Sequence, residues 1–166
     1  MGEKKKFKVG MYGGKFMPFH KGHLYCIEIA AEQCEKLYVI LFHGGTQELQ
    51  ILKDRPNEKF LTVEDRKKHI IEGCKHVKNA IVIDIDVTDC KYPDGSENWD
   101  METPLVEAAC GELDAVFGSE PDYADYFKRA YPGAEYVIID INRDAVPISA
   151  TMIREMNEEE RKLWII

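Results

Sequence analysis

Short apolar runs alternate with helical segments along this chain, and that alternation limits its fold more than any other feature. Phe7–Tyr12, Leu37–Phe42, Ala80–Val87, Asp114–Gly118 and Glu135–Asp140 read as strands. Leu24, Ile27, Ala31 and Cys34 recur at helical spacing to about Glu35. Thr62 before Val63-Glu64-Asp65 is an N-cap followed by first-turn acids, which predicts a helix to about Cys74. Pro104 opens a helix to about Cys110. Pro121 opens another in which Tyr123, Phe127 and Ala130 share a face, and Ser149 caps a last segment. Gly44 to Phe60 and Asp89 to Thr103 read as loops. Leu37–Phe42 lacks any polar alternation, as suits a strand covered on both faces. Strands separated by helices mean βαβ units, so the expected fold is α/β: a parallel five-stranded sheet flanked by helices. With no repeat and no linker, residues 1–166 are expected to form one domain.

Composition narrows the function. A chain of 166 residues is about one domain long. Its net charge of −8 is the wrong sign for a general nucleic-acid binder, which needs a positive field to displace counterions. No apolar run approaches the roughly 18–20 residues of a membrane helix. Lys4–Lys6 is not followed by an apolar leader, so the sequence predicts a cytoplasmic protein without membrane or nucleic-acid partners. The five cysteines are odd in number and form no C-x-x-C pair; most sit in apolar surroundings and read as small core residues.

In open parallel sheets, ligands bind outside the carboxyl ends of strands where the order reverses. The loop after the first strand is therefore the first place to look for chemistry. It runs Gly13-Gly14-Lys15-Phe16-Met17-Pro18-Phe19-His20-Lys21-Gly22-His23. His20 and His23, three apart at a helix start, can face one point, and Gly22 leaves the space between them open. The helix N-terminus is expected to add free N–H groups and partial positive charge. A second helix start lies at Pro147 to Arg154, where Ser149 caps, Thr151 offers a hydroxyl, and Arg154 can reach back with its forked donors. Alone, each half has a structural reading: capping for Ser149, ordinary surface or core positions for the histidines. Asp84 and Asp86 read as the polar end of a strand, and no residues form a dedicated metal cage. Gly10–Lys15 lacks the spacing and hydroxyl of a P-loop.

Together, these stretches carry a resemblance. His20-Lys21-Gly22-His23 resembles the H-x-G-H signature of the nucleotidyltransferase superfamily, and Ile148-Ser149-Ala150-Thr151-Met152-Ile153-Arg154 resembles its I-S-x-T-x-x-R signature. Gly14 to His23 is similar to the nicotinamide mononucleotide (NMN) adenylyltransferases of the NadR type, more than to the phosphopantetheine or cytidylyl branches. The likeness continues through Thr62–Arg66, Tyr92-Pro93-Asp94-Gly95 with Trp99, Phe117-Gly118-Ser119-Glu120, and Asn142-Arg143. It spans about Lys8 to Glu155. Where the family carries a further aromatic residue near the glycine, this chain has Ser96-Glu97-Asn98.

The resemblance implies a Rossmann-like fold of the HIGH type and transfer of AMP from ATP to NMN, giving NAD and pyrophosphate by direct in-line attack. By resemblance, His20, His23, Lys15 and Arg154 are the catalytic set, with His23 nearest the α-phosphoryl group. Gly13, Gly14, Phe16, Gly22, Gly118, Ser119, Arg143, Ser149 and Thr151 would bind the nucleotide, and Glu120 and Tyr123 match positions near it. Trp99, Tyr92 and Asp94 would bind the acceptor. Mg²⁺ is expected to arrive with ATP, held by substrate oxygens and water. Three alternatives stay open: another phosphorylated acceptor such as pantetheine phosphate or flavin mononucleotide, cytidylyl transfer, or a non-catalytic nucleotide sensor. The chain begins at the first strand and ends 12 residues past Arg154, so neither the kinase nor the DNA-binding domain of larger NadR-type proteins is expected. The apolar tip Leu163–Ile166 offers a surface to the body of the chain or to a second copy, a homo-oligomer.

Overall fold

The computed structural model describes residues 5–58, 61–139 and 148–165. Strands β1 (Phe7–Gly14), β2 (Cys34–His43), β3 (Ala80–Asp86), β4 (Ala115–Gly118) and β5 (Glu135–Ile138) form one sheet. All pairs are parallel, in the order β3-β2-β1-β4-β5. Helix α1 (Lys21–Gln33) follows β1, and α2 (Thr46–Asp54) and α3 (Val63–Gly73) follow β2. Helix α4 (Thr103–Cys110) follows β3 and α5 (Ala124–Ala130) follows β4. Two short helices come last, α6 (Ala150–Arg154) and α7 (Glu158–Arg161).

The two-residue period of the strands builds a separate core on each face. Tyr12, Val39, Leu41, Ala115 and Phe117 meet Ile27 and Ala30 of α1 and Ile70 of α3. Their neighbours Met11, Ile40 and Val116 turn the other way, toward Val106 of α4 and Phe127 of α5. The sheet is therefore the middle of three layers. Val39, Ile40 and Leu41 are all 0% exposed, which accounts for the unbroken apolar run there.

Several boundaries differ from the sequence reading. Cys34, expected on the face of α1, is extended (φ −121°, ψ 149°) and opens β2 opposite Phe7. The segment expected to be an irregular loop after β2 holds α2, whose buried residue is Glu48 rather than an apolar one. A 3-10 turn at Pro121–Tyr123 precedes α5. The described part of β5 ends at Ile138, and Asp140 lies outside the described residues. Helix α7 is closed by a capping box between Asn157 and Glu160. The chain then returns to α1: the Lys21 N–H donates to the Trp164 carbonyl at 2.8 Å, and Ile165 bridges His20. Among the described residues no helix is long and apolar enough to cross a membrane.

The chain runs outward from β1 through β2 to β3, then crosses back to place β4 on the other side of β1. That reversal opens a crevice at the carboxyl ends of β1 and β4.

Candidate active site

The crevice holds a cleft of about 420 Å³, within the roughly 300–1,000 Å³ range of small-molecule sites. Gly13 to Met17 of the β1–α1 loop line it, with His23 of α1, Gly118 to Glu120 beyond β4, and Thr151 and Arg154 of α6. Two stretches more than a hundred residues apart thus face one space.

Local chemistry fixes the histidines. His20 is the N-cap of α1, and its Nδ1 accepts the N–H groups of Gly22 (3.0 Å) and His23 (3.4 Å). His23 sits at the third helical position, and its Nδ1 accepts the His20 N–H at 3.2 Å. The result is a capping box built from two imidazoles. A ring nitrogen that accepts a hydrogen bond carries no proton, so in the neutral ring Nε2 bears the hydrogen in both histidines. The rings stack with centroids 3.7 Å apart, and His23 also lies parallel to Phe19 at 5.8 Å and edge-on to Phe16 at 4.7 Å. Phe16 has φ +50°, a backbone region costly for a bulky side chain. It is held there with its ring buried against Tyr12 and Phe19.

The expectation of free backbone donors at the start of α1 is corrected by this geometry. The first three N–H groups are already bonded, Lys21 to the Trp164 carbonyl and the next two to His20. From the start of α1, donors to a ligand must therefore come from side chains. Gly22 also has a second purpose. A Cβ there would lie 2.9 Å from the His20 ring and 3.4 Å from Ile148, so its bareness lets the two motifs interlock.

Arg154 completes that interlock. One terminal nitrogen donates to the Met17 carbonyl at 2.8 Å, the other to the Thr151 hydroxyl at 3.3 Å. Both acceptors are neutral. Burial, then the nearby Arg55 guanidinium, press its pKa below the usual value, a penalty that a bound anion would relieve. The Lys15 ammonium meets Gln47 of α2 and lies 3.5 Å from the Glu97 carboxylate. The arrangement can bind, orient and neutralise a polyanion.

Another part of the cleft lining is aromatic and acidic. Trp99 packs edge-on to Tyr123 (centroids 5.0 Å) and Tyr126 (5.3 Å), and the Tyr126 hydroxyl donates to the Trp99 carbonyl at 2.7 Å. Glu97, Glu102 and Glu120 line this region. Burial, with the Glu97 charge second, pushes the Glu102 carboxyl up to about 7.

A cytidylyltransferase-like family model matches residues 11–156, which include both motifs and all of β2 to β5. The chain belongs to the cytidylyltransferase-like family. It is a nucleotidyltransferase related to NadR. It is 28% identical over 158 residues to the trifunctional NAD biosynthesis/regulator protein NadR of Escherichia coli (strain K12), covering 92% of this chain and 37% of that protein. It is 34% identical over 152 residues to a phosphopantetheine adenylyltransferase of Streptococcus pneumoniae, covering 90% and 83%. A crystal structure of NadR protein in complex with NR matches with a TM-score of 0.67 at 25% identity, over 97% of this chain and 43% of that one. The chain thus spans less than half the length of these NadR relatives.

The residues expected in the site divide into two groups. Gly13, Gly14, Lys15, Phe16, Gly22, His23, Trp99, Gly118, Ser119, Thr151 and Arg154 line the cleft of this nucleotidyltransferase. His20 lies behind His23, 1% exposed, and Ser149 caps α6 by accepting the Met152 N–H at 3.2 Å; neither is in the lining. Tyr92 and Asp94 also lie off the cleft, in an exposed turn where Asp94 accepts the Ser96 N–H and hydroxyl. Arg143 lies outside the described residues. Asp84 is bonded to His43 and Lys67, and the Lys67 hydrogen bond is the chief cause of its lowered pKa. Among the described residues, no three His, Cys, Asp or Glu side chains are grouped to hold a metal ion. Sequence reasoning missed Glu97, Glu102 and Tyr126 as cleft residues. The first two lie in or beside an aperiodic loop, but Tyr126 stands one turn after Tyr123 and that spacing could have flagged it.

Proposed function

We propose that this chain transfers AMP from ATP to nicotinamide mononucleotide, releasing pyrophosphate and forming NAD. The observation that carries this reading is the Trp99–Tyr123–Tyr126 wall in the same cleft as His23 and Arg154. A flat, cationic pyridinium suits such a wall. Glu97, Glu102 and Glu120 add negative potential beside it. A flexible pantetheine arm would gain little from either feature. The likeness to NadR supports the same acceptor.

The attacking phosphate oxygen has a second pKa of about 6 and is already anionic at neutral pH, so no general base is required. What remains is to align it with the α-phosphorus and offset crowded negative charge. His23 would donate from Nε2 to the α-phosphoryl oxygens, with Lys15 and Arg154 on the β- and γ-phosphates and Thr151 on the departing pyrophosphate. Mg²⁺ enters with ATP, which brings most of its oxygen ligands.

A second reading, a phosphopantetheine adenylyltransferase, is favoured by 34% identity across 83% of the Streptococcus enzyme. One assay separates them: pyrophosphate release with Mg-ATP and, in turn, NMN, nicotinate mononucleotide, pantetheine phosphate and flavin mononucleotide. We expect release with NMN. Release with pantetheine phosphate alone would replace the first reading by the second.

A further inference from the structure

An ion pair lies beneath the cleft, sealed from solvent. Arg66 of α3 and Glu48 of α2 are 0% and 1% exposed. Nη1 of Arg66 donates to Oε1 of Glu48 at 2.6 Å and to the Lys15 carbonyl at 2.8 Å. Nε donates to the Thr62 carbonyl at 3.3 Å. The second Glu48 oxygen accepts the Gly44 N–H at 2.6 Å. The two charges therefore tie the backbone after β1 to the backbone after β2, directly under the part of the cleft that Lys15 lines.

Stability alone does not account for this pair. Apolar replacements of similar volume for a buried ion pair are often neutral or stabilising. A pair serving only attraction would be a two-pronged fork. Here Nη1 is shared between a carboxylate and a carbonyl, and Nη2 has no hydrogen-bond partner among the described residues. A buried unpaired donor is unfavourable, so the geometry holds the Lys15 carbonyl at the expense of satisfying the guanidinium.

Lys15 is also held from its far end. Its ammonium meets Gln47, the residue before Glu48 on α2. Helix α2 thus anchors the backbone of Lys15 through Glu48 and Arg66, and its charge through Gln47. We propose that Arg66 and Glu48 are positioning residues that aim the Lys15 ammonium at the nucleotide's phosphates. The proposal rests on reading the cleft as an ATP site.

The test is a double-mutant cycle on the full chain, using Arg66→Lys, Glu48→Gln, Lys15→Met and the Lys15→Met/Arg66→Lys pair. Misplacing a binding group by about an ångström can cost up to about 100-fold, so Arg66→Lys should lower kcat/KM for ATP by about 10–100-fold. KM for NMN should stay near wild type. In the Lys15→Met background, Arg66→Lys should change kcat/KM for ATP by less than about twofold, since residues acting through one another are not additive. Calorimetric binding of α,β-methylene-ATP gives the same cycle without turnover. If the wild type transfers AMP to no acceptor yet binds this analogue, the proposed reaction fails while the positioning role is still tested. A loss from Arg66→Lys that is undiminished without the Lys15 ammonium overturns the proposal, as does equal damage to both substrates. If Arg66→Lys does not fold, Glu48→Gln combined with Lys15→Met replaces it. Failure of both to fold makes the pair a folding requirement and overturns the positioning role.

Discussion

His23 has two separable duties, one on each ring nitrogen. Nδ1 closes the capping box by accepting the His20 N–H, and Nε2 carries the ring hydrogen that the proposed reaction would use. Alanine removes both, so His23→Ala alone cannot tell a lost donor from a frayed helix. Glutamine is a favoured residue at the third helical position of a capping box and should keep the first duty. We expect both His23→Ala and His23→Gln to lower kcat by about 10²–10³-fold, the effect of losing one preorganised donor. His23→Gln should unfold at nearly the wild-type denaturant midpoint. Steady-state kinetics beside equilibrium unfolding would check this, and near-normal turnover of either variant would remove His23 from the chemistry. The histidines were legible in the sequence because the motif is local: four consecutive residues supply the cap, the bare glycine and both rings. Glu97 was not legible. It reaches Lys15 only because a loop some eighty residues away folds over the cleft, a contact with no sequence period.

Among elements, α1 was legible and α2 was not, and burial explains both. Helix α1 buries Cys26, Ile27, Ala30 and Ala31, a stripe that the 3.6-residue period exposes. Helix α2 buries Glu48, so a charge stands where the pattern needs an apolar residue, and its partner Arg66 is an element away. Helix α6 is a different case. At five residues it is too short to hold itself, and its start depends on the Ser149 hydroxyl accepting the Met152 N–H. Ser149→Ala should therefore cost about 1 kcal/mol of stability, as cap losses do. Because α6 carries Thr151 and Arg154 into the cleft, KM for ATP should rise with little change in KM for NMN. Urea titration and kinetics on the same preparation would check both. A change in stability with no change in KM for ATP would mean that the Arg154 bond to Met17 places this helix without its cap.

At the scale of the whole molecule, the sequence implied a parallel sheet, where ligands would bind and, by resemblance, that the Trp99 loop would reach the site, but not that Glu97 and Glu102 would come with it. The order β3-β2-β1-β4-β5 brings the Asp89–Thr103 segment over the crevice, and with it two carboxylates, Glu97 and Glu102, and a tryptophan into the cleft that Lys15 lines. Acidic groups crowded this way make the fold sensitive to pH. Glu102 titrates near 7 in the folded chain against 4.5 for an ordinary glutamate, first because it is buried and second because Glu97 is near. Between those values the folded chain holds a proton that the unfolded chain has released. Its contribution is therefore full below about 4.5, declines as pH rises, and is lost above about 7. The carboxyls of Asp84 and Asp86 are shifted the other way, so their contributions fall off below 3.8, outside this window. Glu102→Gln keeps the shape and stays neutral, so it should match wild type near pH 4.5 and exceed it in stability at pH 8. Urea midpoints of the two proteins from pH 4.5 to 8 should diverge steadily and then run parallel. Curves parallel throughout would place the Glu102 carboxylate in contact with water, and the acidic part of the cleft would then be open rather than shielded.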